Sequence, residues 1–466
     1  MPYGTSRSKA ASKFMSKIIS TYLFPPNLIP VLSDFILHLW YYPSFSMSKP
    51  AGAPSGPPGF PPFEASLSDL TKLSSAIHTS ITDYENAKTP KEKAAALQKI
   101  QASSTRLSRT TTPLQQQFMQ INFGPNVNVA IRIGLEMGLF TALPTSGDPS
   151  TVANLARQTN AQEEFLFRIA RTLAVFDILQ ECDSPTSDLP SYSHTPFSQF
   201  LTLPPAEAST RHLFDNMLHA QVNSARGYYL KYGFKNPEDS KNSPFSFANG
   251  RDDKGIFDIL EEQPERMKMF NSAMAIQATL GLKDVLLTYP FDKLEANEDG
   301  VVLVDVGGGK GQVINEIQTV YPNLHGSIIL EDMEIVLQGG TIVPDEIIKQ
   351  PYDFFKEEQP IKGSNYFLKS ILHDWPDSSC LQILKSLAPA MRGSPSSRLL
   401  LCELVLPDRN PTIGQVLRDM NMLVIAGKER NKLQWEKLLG LAGYKVLGYY
   451  GLESPNSSII EAVLDE

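Results

Sequence analysis

Three glycines at alternate positions, Gly307, Gly309 and Gly311, follow an apolar run in VVLVDVGGGKGQVINEI, residues 301–317. Glycine there lets the backbone turn tightly and lets a ligand come close where a Cβ would block it. Apolar strand, acidic Asp305, glycine turn and amphipathic helix make a loop suited to a nucleotide-like ligand. Gln312 stands where a dinucleotide fingerprint places its third glycine, which argues against NAD. About twenty residues on, GSIILED offers Glu331 and Asp332 at the end of the next apolar run, where a carboxylate can hold both ribose hydroxyls. A third expected strand, QPYDFF, then supplies Asp353, an acceptor for an exocyclic adenine amine, beside the apolar face of Phe354. The three cues, arriving in that order, imply a nucleoside site. A cue of different chemistry is FLKSILHDWPD, residues 367–377: a run that starts like a buried strand ends on His373 and Asp374, and the chain has only seven histidines. Histidine changes charge near neutral pH, so it can move a proton there. A histidine at a strand end is ordinarily solvated or capping, and Asp374 reads as a cap for the helix beginning near Pro376.

These residues need elements to hold them. From residue 300 the chain alternates short apolar runs with helical patterns: VVLVDV, a helix through QVINEIQTVY, GSIIL, NYFLKSIL, a helix through SSCLQILKSLAPAM, RLLLCELVL and a helix through KLQWEKLLGLAGY. That pattern predicts an α/β fold with a parallel, doubly wound sheet, closed by KVLGYYG and SSIIEAVL as an antiparallel terminal pair. Upstream, residues 64 to about 140 repeat apolar positions at helical spacing. DPSTVANLARQTNAQEEFLFRIARTLAVFDILQEC predicts two helices, capped near Ser150 or Thr151 and restarting near Asn160, and SYSHTPFSQFLTL supplies a wing. Residues 235–250 read as a polar loop, and GIFDILEEQPERMKMFNSAMAIQA and LGLKDVLLTY as helical. The expected organisation is a leader with a Pro/Gly-rich segment over 1–63, a mainly helical winged-helix domain over 64–205 and a nucleoside-binding α/β domain over 206–466.

Composition narrows the class. The chain has 466 residues, 42% hydrophobic and 20% charged, with a net charge of -8. That acidic balance excludes a general nucleic-acid binder, which needs a basic surface to neutralise phosphates. The winged-helix outline would ordinarily mean DNA binding. AQEEFLFRIARTLAVFDIL carries only two arginines, so packing or dimerisation is the better reading, and a winged-helix regulator with a vestigial nucleoside domain is the weaker competitor. Cys182, Cys380 and Cys402 are scattered in apolar surroundings, so neither a disulfide framework nor a zinc site is expected and the setting is a reducing, cytosolic one. Pro25, Pro26, Pro30 and Asp34 interrupt the longest apolar stretch, residues 18–42, so no spanning helix is expected. Met47 opens a sequence that reads like a natural N-terminus.

LVDVGGGKGQVI, DFF, FLKSILHDWPD, LLCELVLP and MLVIAGKERN, taken together, resemble the successive motifs of plant-type and fungal class I O-methyltransferases, the caffeic-acid and flavonoid O-methyltransferase-like group. The likeness covers roughly residues 110–466 and includes the winged-helix segment, which in that family is a dimerisation domain. It implies S-adenosylmethionine as methyl donor, no metal, a homodimer and an aromatic small-molecule acceptor, with a fungal phenolic polyketide as the expected type. Transfer to nitrogen or carbon is the alternative on the same fold. The resemblance puts His373 in the role of general base. A phenol of pKa about 10 needs such a base at neutral pH. It also makes Glu403 and Glu429 candidates to orient the imidazole, and Glu403 ends an apolar strand at the ligand-binding edge. Glu429 has Lys428 and Arg430 beside it to pair with. By the same resemblance Lys369 is a cofactor-side residue, Trp375 a wall near the sulfonium, Met274 a contact to the aromatic acceptor, and Asp332 the residue aligned with the ribose ligand.

Overall fold

The computed structural model describes residues 65–184 and 187–465. The leader and Pro/Gly-rich segment lie outside these, as do residues 18–42 and Met47. The chain divides into two compact units, up to Gln120 and from Ile121 onward. In the first, helices Leu67–Asn86 and Pro90–Thr111 form a hairpin. Ser66 caps the first helix, and a reciprocal Thr89–Glu92 capping box with Pro90 behind it starts the second.

In the second unit, helices Pro125–Glu136 and Leu139–Ala142 precede a helix-turn-helix, Val152–Gln158 and Glu163–Val175, whose first helix is capped by the Thr151 hydroxyl. Strands β1 (Ser150–Thr151), β2 (Leu179–Cys182) and β3 (Ser191–His194) form a small antiparallel sheet beside it. This is the expected winged helix, with two differences. The second helix starts at Glu163 rather than near Asn160, and it stops at Val175 because Asp177 takes a left-handed conformation, freeing Leu179 for the wing strand. Leu166, Ala170 and Leu173 of that helix are buried among Leu135, Leu139, Phe140 and Leu155. The apolar stripe therefore packs inward.

The main sheet has seven strands in the order β11-β12-β8-β7-β4-β5-β6. These are β4 (Val301–Val306), β5 (Ser327–Asp332), β6 (Ile348–Pro351), β7 (Tyr366–Lys369), β8 (Leu399–Glu403), β11 (Tyr444–Tyr450) and β12 (Ser458–Leu464). All neighbours are parallel except β12, which runs antiparallel to β8 and β11. A two-stranded parallel pair, β9 (Val405–Leu406) with β10 (Arg430–Asn431), sits apart. Alternation along each strand feeds two cores. Leu399 and Leu401 pack with Ile383, Leu387 and Trp435, while Leu400 and Cys402 pack with Leu286, Ile314 and Ile317. Helices Asp377–Met391 and Lys432–Leu441 cover the first face, and helix Gln312–Val320 covers the second. Strand order reverses between β4 and β7. Their carboxyl ends form the crevice where open α/β sheets bind ligands.

Three sequence expectations change. Residues 235–250 are not simply a polar loop: Ser243 caps the helix Pro244–Ala248, and Phe245 is fully buried. The run from residue 255 divides into helices Ile256–Glu261 and Pro264–Thr279, separated at Gln263 ahead of Pro264. NYFLKSIL is a strand only to Lys369, because Ser370 turns with φ of 54°. His373 therefore sits on a short 3-10 turn, Leu372–Asp374, beyond the strand edge.

The central strand sets the stability scale. Phe367 in β7 is fully buried and packs edge-on against Phe291, with ring centroids 5.8 Å apart. Phe367→Ala should cost about 3–5 kcal/mol by denaturant unfolding. Phe234→Ala, at a residue 86% exposed, should stay within about 0.5 kcal/mol. Equal costs would contradict the assignment of the core.

Candidate active site

The glycine turn joins β4 to helix Gln312–Val320. Gly307 and Gly308 donate their N–H groups to the Glu331 carbonyl, at 2.9 and 3.0 Å, tying the turn to β5. Space is the reason for glycine at two positions. A Cβ on Gly308 would lie 2.4 Å from Asp305 Oδ2, and one on Gly311, at φ 89°, would lie 2.1 Å from Val343 Cγ1. At Gly309, by contrast, a Cβ would meet nothing nearer than 3.8 Å. The turn is packed beneath and open at Gly309.

The acidic residues divide by strand alternation. Asp332 Oδ2 accepts the Gly309 N–H at 2.8 Å and Oδ1 accepts the Met333 N–H at 2.7 Å, so its carboxylate stands at the glycine turn. Glu331 is fully buried and points the other way, accepting from Gln359 Nε2 at 2.7 Å. Burial pushes its carboxyl up to about 7, against the opposing effect of the Gln359 bond. Asp305 is buried under Gly308 with neither oxygen partnered among the described residues. Burial, then the Asp332 charge, pushes it up to about 7, while the Lys369 charge pulls the other way. Asp353 is not on a strand as the order of motifs implied. It follows β6, where its carboxylate accepts from Phe355 N–H at 3.0 Å and pairs with Lys356 at 2.8 Å. Phe354 lies beside Gly307 and packs on Phe355, with centroids 4.9 Å apart.

The turn after β7 carries the histidine. His373 Nδ1 is 3.0 Å from Glu429 Oε1, and Glu429 is itself buried. The carboxylate therefore fixes the ring and places any single proton on Nδ1, leaving Nε2 as the accepting nitrogen. Asp374 Oδ1 lies 3.5 Å from Nε2. Asp374 does not cap the following helix: the N-cap is Pro376, with no side-chain cap, and Asp377 starts the helix. Glu403 does not touch the imidazole either. Its Oε1 accepts the N–H groups of Ile371, at 3.0 Å, and Leu372, at 2.8 Å. It orients His373 only through the backbone.

Two residues that sequence reading left without this role complete the turn. Arg430, fully buried, does not pair with Glu429. It donates to Asp377 at 2.7 Å and to the carbonyls of Leu372 and Trp375, each at 3.0 Å, and lies over the Trp435 ring at 5.1 Å. Gly427 brings the next segment into backbone contact, where a Cβ would fall 2.2 Å from the His373 carbonyl oxygen. Lys428 N–H donates to that same oxygen at 2.8 Å. Their only sequence signal is the GKERN motif itself.

Trp375 packs on Phe355, at 4.8 Å, and on Phe257, at 5.5 Å, so it links the glycine-turn side to helix Ile256–Glu261. Lys369 ends β7 with its Nζ 3.4 Å from Ser370 Oγ. Met274 lies half-buried on helix Pro264–Thr279. Among the described residues no group of three or more His, Cys, Asp or Glu is arranged to hold a metal ion, and no helix is long and apolar enough to cross a membrane.

Burial alone would depress the His373 pKa, but the carboxylates of Asp374, Glu429 and Glu403 outweigh it and raise it to about 10. Burial also pushes Asp374 up to about 6 and Glu403 up to about 7, with the His373 charge opposing in both. A raised histidine pKa contributes stability that is complete below about 6.5 and is lost as pH rises through the folded value. Glu429→Gln should lower the His373 pKa by more than one unit in an NMR titration. The stability gap to the parent should be widest below about pH 6.5 and close towards pH 10. A gap independent of pH would show that the pair is not the source.

Family comparisons agree with this architecture. A model described as the O-methyltransferase domain matches residues 228–445, and one described as the O-methyltransferase dimerisation domain matches residues 119–203. O-methyltransferase kntB of Aspergillus niger is 34% identical over 340 residues, covering 72% of this chain and 80% of that one. O-methyltransferase afvC of Aspergillus flavus is 34% identical over 363 residues, covering 75% and 86%. The solved structure of LepI in complex with SAM superposes with a TM-score of 0.72 at 26% identity, covering 84% of this chain and 99% of that chain. Crystal structures of OxaC share the fold at a TM-score of 0.75 and 22% identity. With both domain matches in order and such relatives along most of its length, the chain belongs to the S-adenosylmethionine-dependent O-methyltransferase family.

Proposed function

We propose that the protein methylates a phenolic hydroxyl of an aromatic small molecule, a fungal secondary metabolite of polyketide type, with His373 as general base. The observation that carries this reading is the His373–Glu429 contact at 3.0 Å on a turn beside the glycine loop, at the strand-order reversal of the sheet. We also take the chain to act as a cytosolic homodimer, with a winged-helix dimerisation domain over 64–205 and a catalytic domain over 206–466.

The donor site fits a nucleoside with a charged amino-acid tail. Asp332 keeps lone pairs for ribose hydroxyls after accepting two backbone N–H groups, and Gly309 leaves room for close approach. Asp353 would accept from the adenine amine beside Phe354, and Gly307 and Gly311 shape the turn. Asp305, whose oxygens lack partners, and Lys369 would hold the tail. Bound there, S-adenosylmethionine supplies an electrophilic methyl group on a sulfonium, whose positive charge lowers the affinity of a neighbouring imidazole for a second proton.

The residues of the chain then do four things. Glu429 holds the imidazole with Nε2 accepting and stabilises the imidazolium that forms, as a buried carboxylate does for a base histidine. His373 takes the phenol proton on Nε2; the surrounding carboxylates favour the protonated ring, and a positive charge beside it would return the ring to its accepting form near neutral pH. Trp375 and Met274 would flank the reacting oxygen and exclude water. Glu403 keeps the turn, and hence the ring, in place.

His373→Ala should lose about 10²–10⁴-fold in turnover while its affinity for S-adenosylhomocysteine stays unchanged. Near-normal turnover of that variant on the acceptor that the parent methylates would remove the histidine from the mechanism. Calorimetry separates the two acids: Asp332→Ala should weaken S-adenosylhomocysteine binding about tenfold or more, whereas Glu331→Gln should not. The reverse order would give Glu331 the ribose.

A further inference from the structure

Glu429 reaches the imidazole through one oxygen. Its Oε1 lies 3.0 Å from His373 Nδ1, and its buried Oε2 has no partner among the described residues. No second side chain steers the carboxylate, so its aim is set by where the backbone places residue 429. Three ties fix that backbone. On one side Lys428 N–H donates to the His373 carbonyl at 2.8 Å, and on the other Arg430 pairs with Val405 where β10 meets β9. The third is the Glu429 N–H itself, which donates to Asp419 Oδ1 at 3.0 Å.

Asp419 lies half-buried on helix Ile413–Val424. Residues on either side of it hold that helix in rotation. Arg418 donates to Asn456 twice, to its carbonyl at 3.0 Å and to its Oδ1 at 2.8 Å, and Asn421 Oδ1 accepts from Gln221 Nε2 at 2.9 Å. Met422 and Val424 of the same helix join the cluster on which Phe257 packs, and Phe257 is the ring that lies against Trp375. One helix therefore touches both the aromatic wall of the site and, through Asp419, the base pair.

Charge is not what this position supplies. Burial raises the Asp419 pKa; the bond from the Glu429 N–H opposes that, and the Glu429 charge adds to it. A second acid beside Glu429 is electrostatically unfavourable. What Asp419 offers is an accepting oxygen at a set reach from a helix that cannot turn.

We propose that Asp419 is a positioning residue for the base: by holding the Glu429 backbone it aims the carboxylate that orients His373. The proposal rests on the reading of His373 as general base and extends that machinery to a residue outside the motifs legible in the sequence.

NMR titration of the His373 ring, in the full chain bound to S-adenosylhomocysteine, tests this without an acceptor. Asp419→Ala should lower the ring pKa by about half a unit or more, in the direction expected for Glu429→Gln, with S-adenosylhomocysteine affinity unchanged. In single turnovers its methyl transfer to weakly acidic phenols should fall about 10–10²-fold, while phenols already ionised at the assay pH react nearly as fast as with the parent. Asp419→Asn, which keeps the oxygen and removes the charge, should restore both the titration and the rate. Asp419→Ser, whose hydroxyl sits on a side chain one bond shorter, should behave like Asp419→Ala and stands in for it if alanine there unfolds the protein. A parent-like ring titration in the alanine and serine variants would overturn the proposal whatever their rates, and so would an asparagine variant as impaired as they are. The titration is read without methyl transfer, so a His373→Ala variant that kept its turnover would remove the base reading and leave this result to stand or fall by itself.

Discussion

An imidazole can work as a base only while its backbone stays still, and residues 370–375 belong to no long helix or strand. Every peptide group of that turn that the sheet does not satisfy must find a partner elsewhere. Ser370 N–H reaches the Cys402 carbonyl, Glu403 takes the next two N–H groups, Arg430 holds the carbonyls of Leu372 and Trp375, and Lys428 holds that of His373. The partners come from β8 and from the segment that runs from the end of helix Ile413–Val424 into β10. Both must be in register before the turn can form. Parallel pairing of β7 with β8, Lys369 opposite Cys402, supplies the first condition. Backbone contact at Gly427 supplies the second.

The electrostatics follow from the same crowding. Asp374, Glu403 and Glu429 surround one imidazole, and three buried negative charges would repel one another at large cost. Protonation of the histidine relieves this, which is why it is held high, while Asp374 and Glu403 rise mainly through burial, with the Glu429 charge adding to it. Arg430 offsets none of it by pairing with Glu429; its charge goes to Asp377 and to the face of Trp435. Left-handed backbone at Ser370 and Ala426, φ 54° and 68°, flanks the two segments that meet here. Such conformations in residues other than glycine persist where surrounding contacts over-determine them.

Local order made much of this legible in sequence. The glycine turn, the two acids at the end of β5 and the apolar runs before them are contiguous, so strand, turn and helix could be read directly. Alternation alone separates Asp332 from Glu331, because consecutive strand residues face opposite sides of the sheet. Other roles depend on contacts between distant segments. Arg430 stands next to Glu429 in sequence yet closes on Asp377, 53 positions away, and Glu403 acts on backbone 31 and 32 positions away. Gly427 lacks the flanking glycines that mark a phosphate-type turn, so nothing local announces a close approach. Asp374 looked like a cap because its position before Pro376 suits one; the proline itself takes the cap position, and the carboxylate turns to the histidine.

Methyl-transfer rates for phenols of graded acidity test the central claim most directly. In single turnovers with the parent enzyme, a positioned base should make the rate depend weakly on phenol pKa. In His373→Ala the rate should climb steeply as the phenol becomes more acidic, approaching the parent for phenols already ionised at the assay pH. Parallel dependence in the two proteins would mean that His373 does not take the proton, and the role assigned to its pair with Glu429 would fall with it.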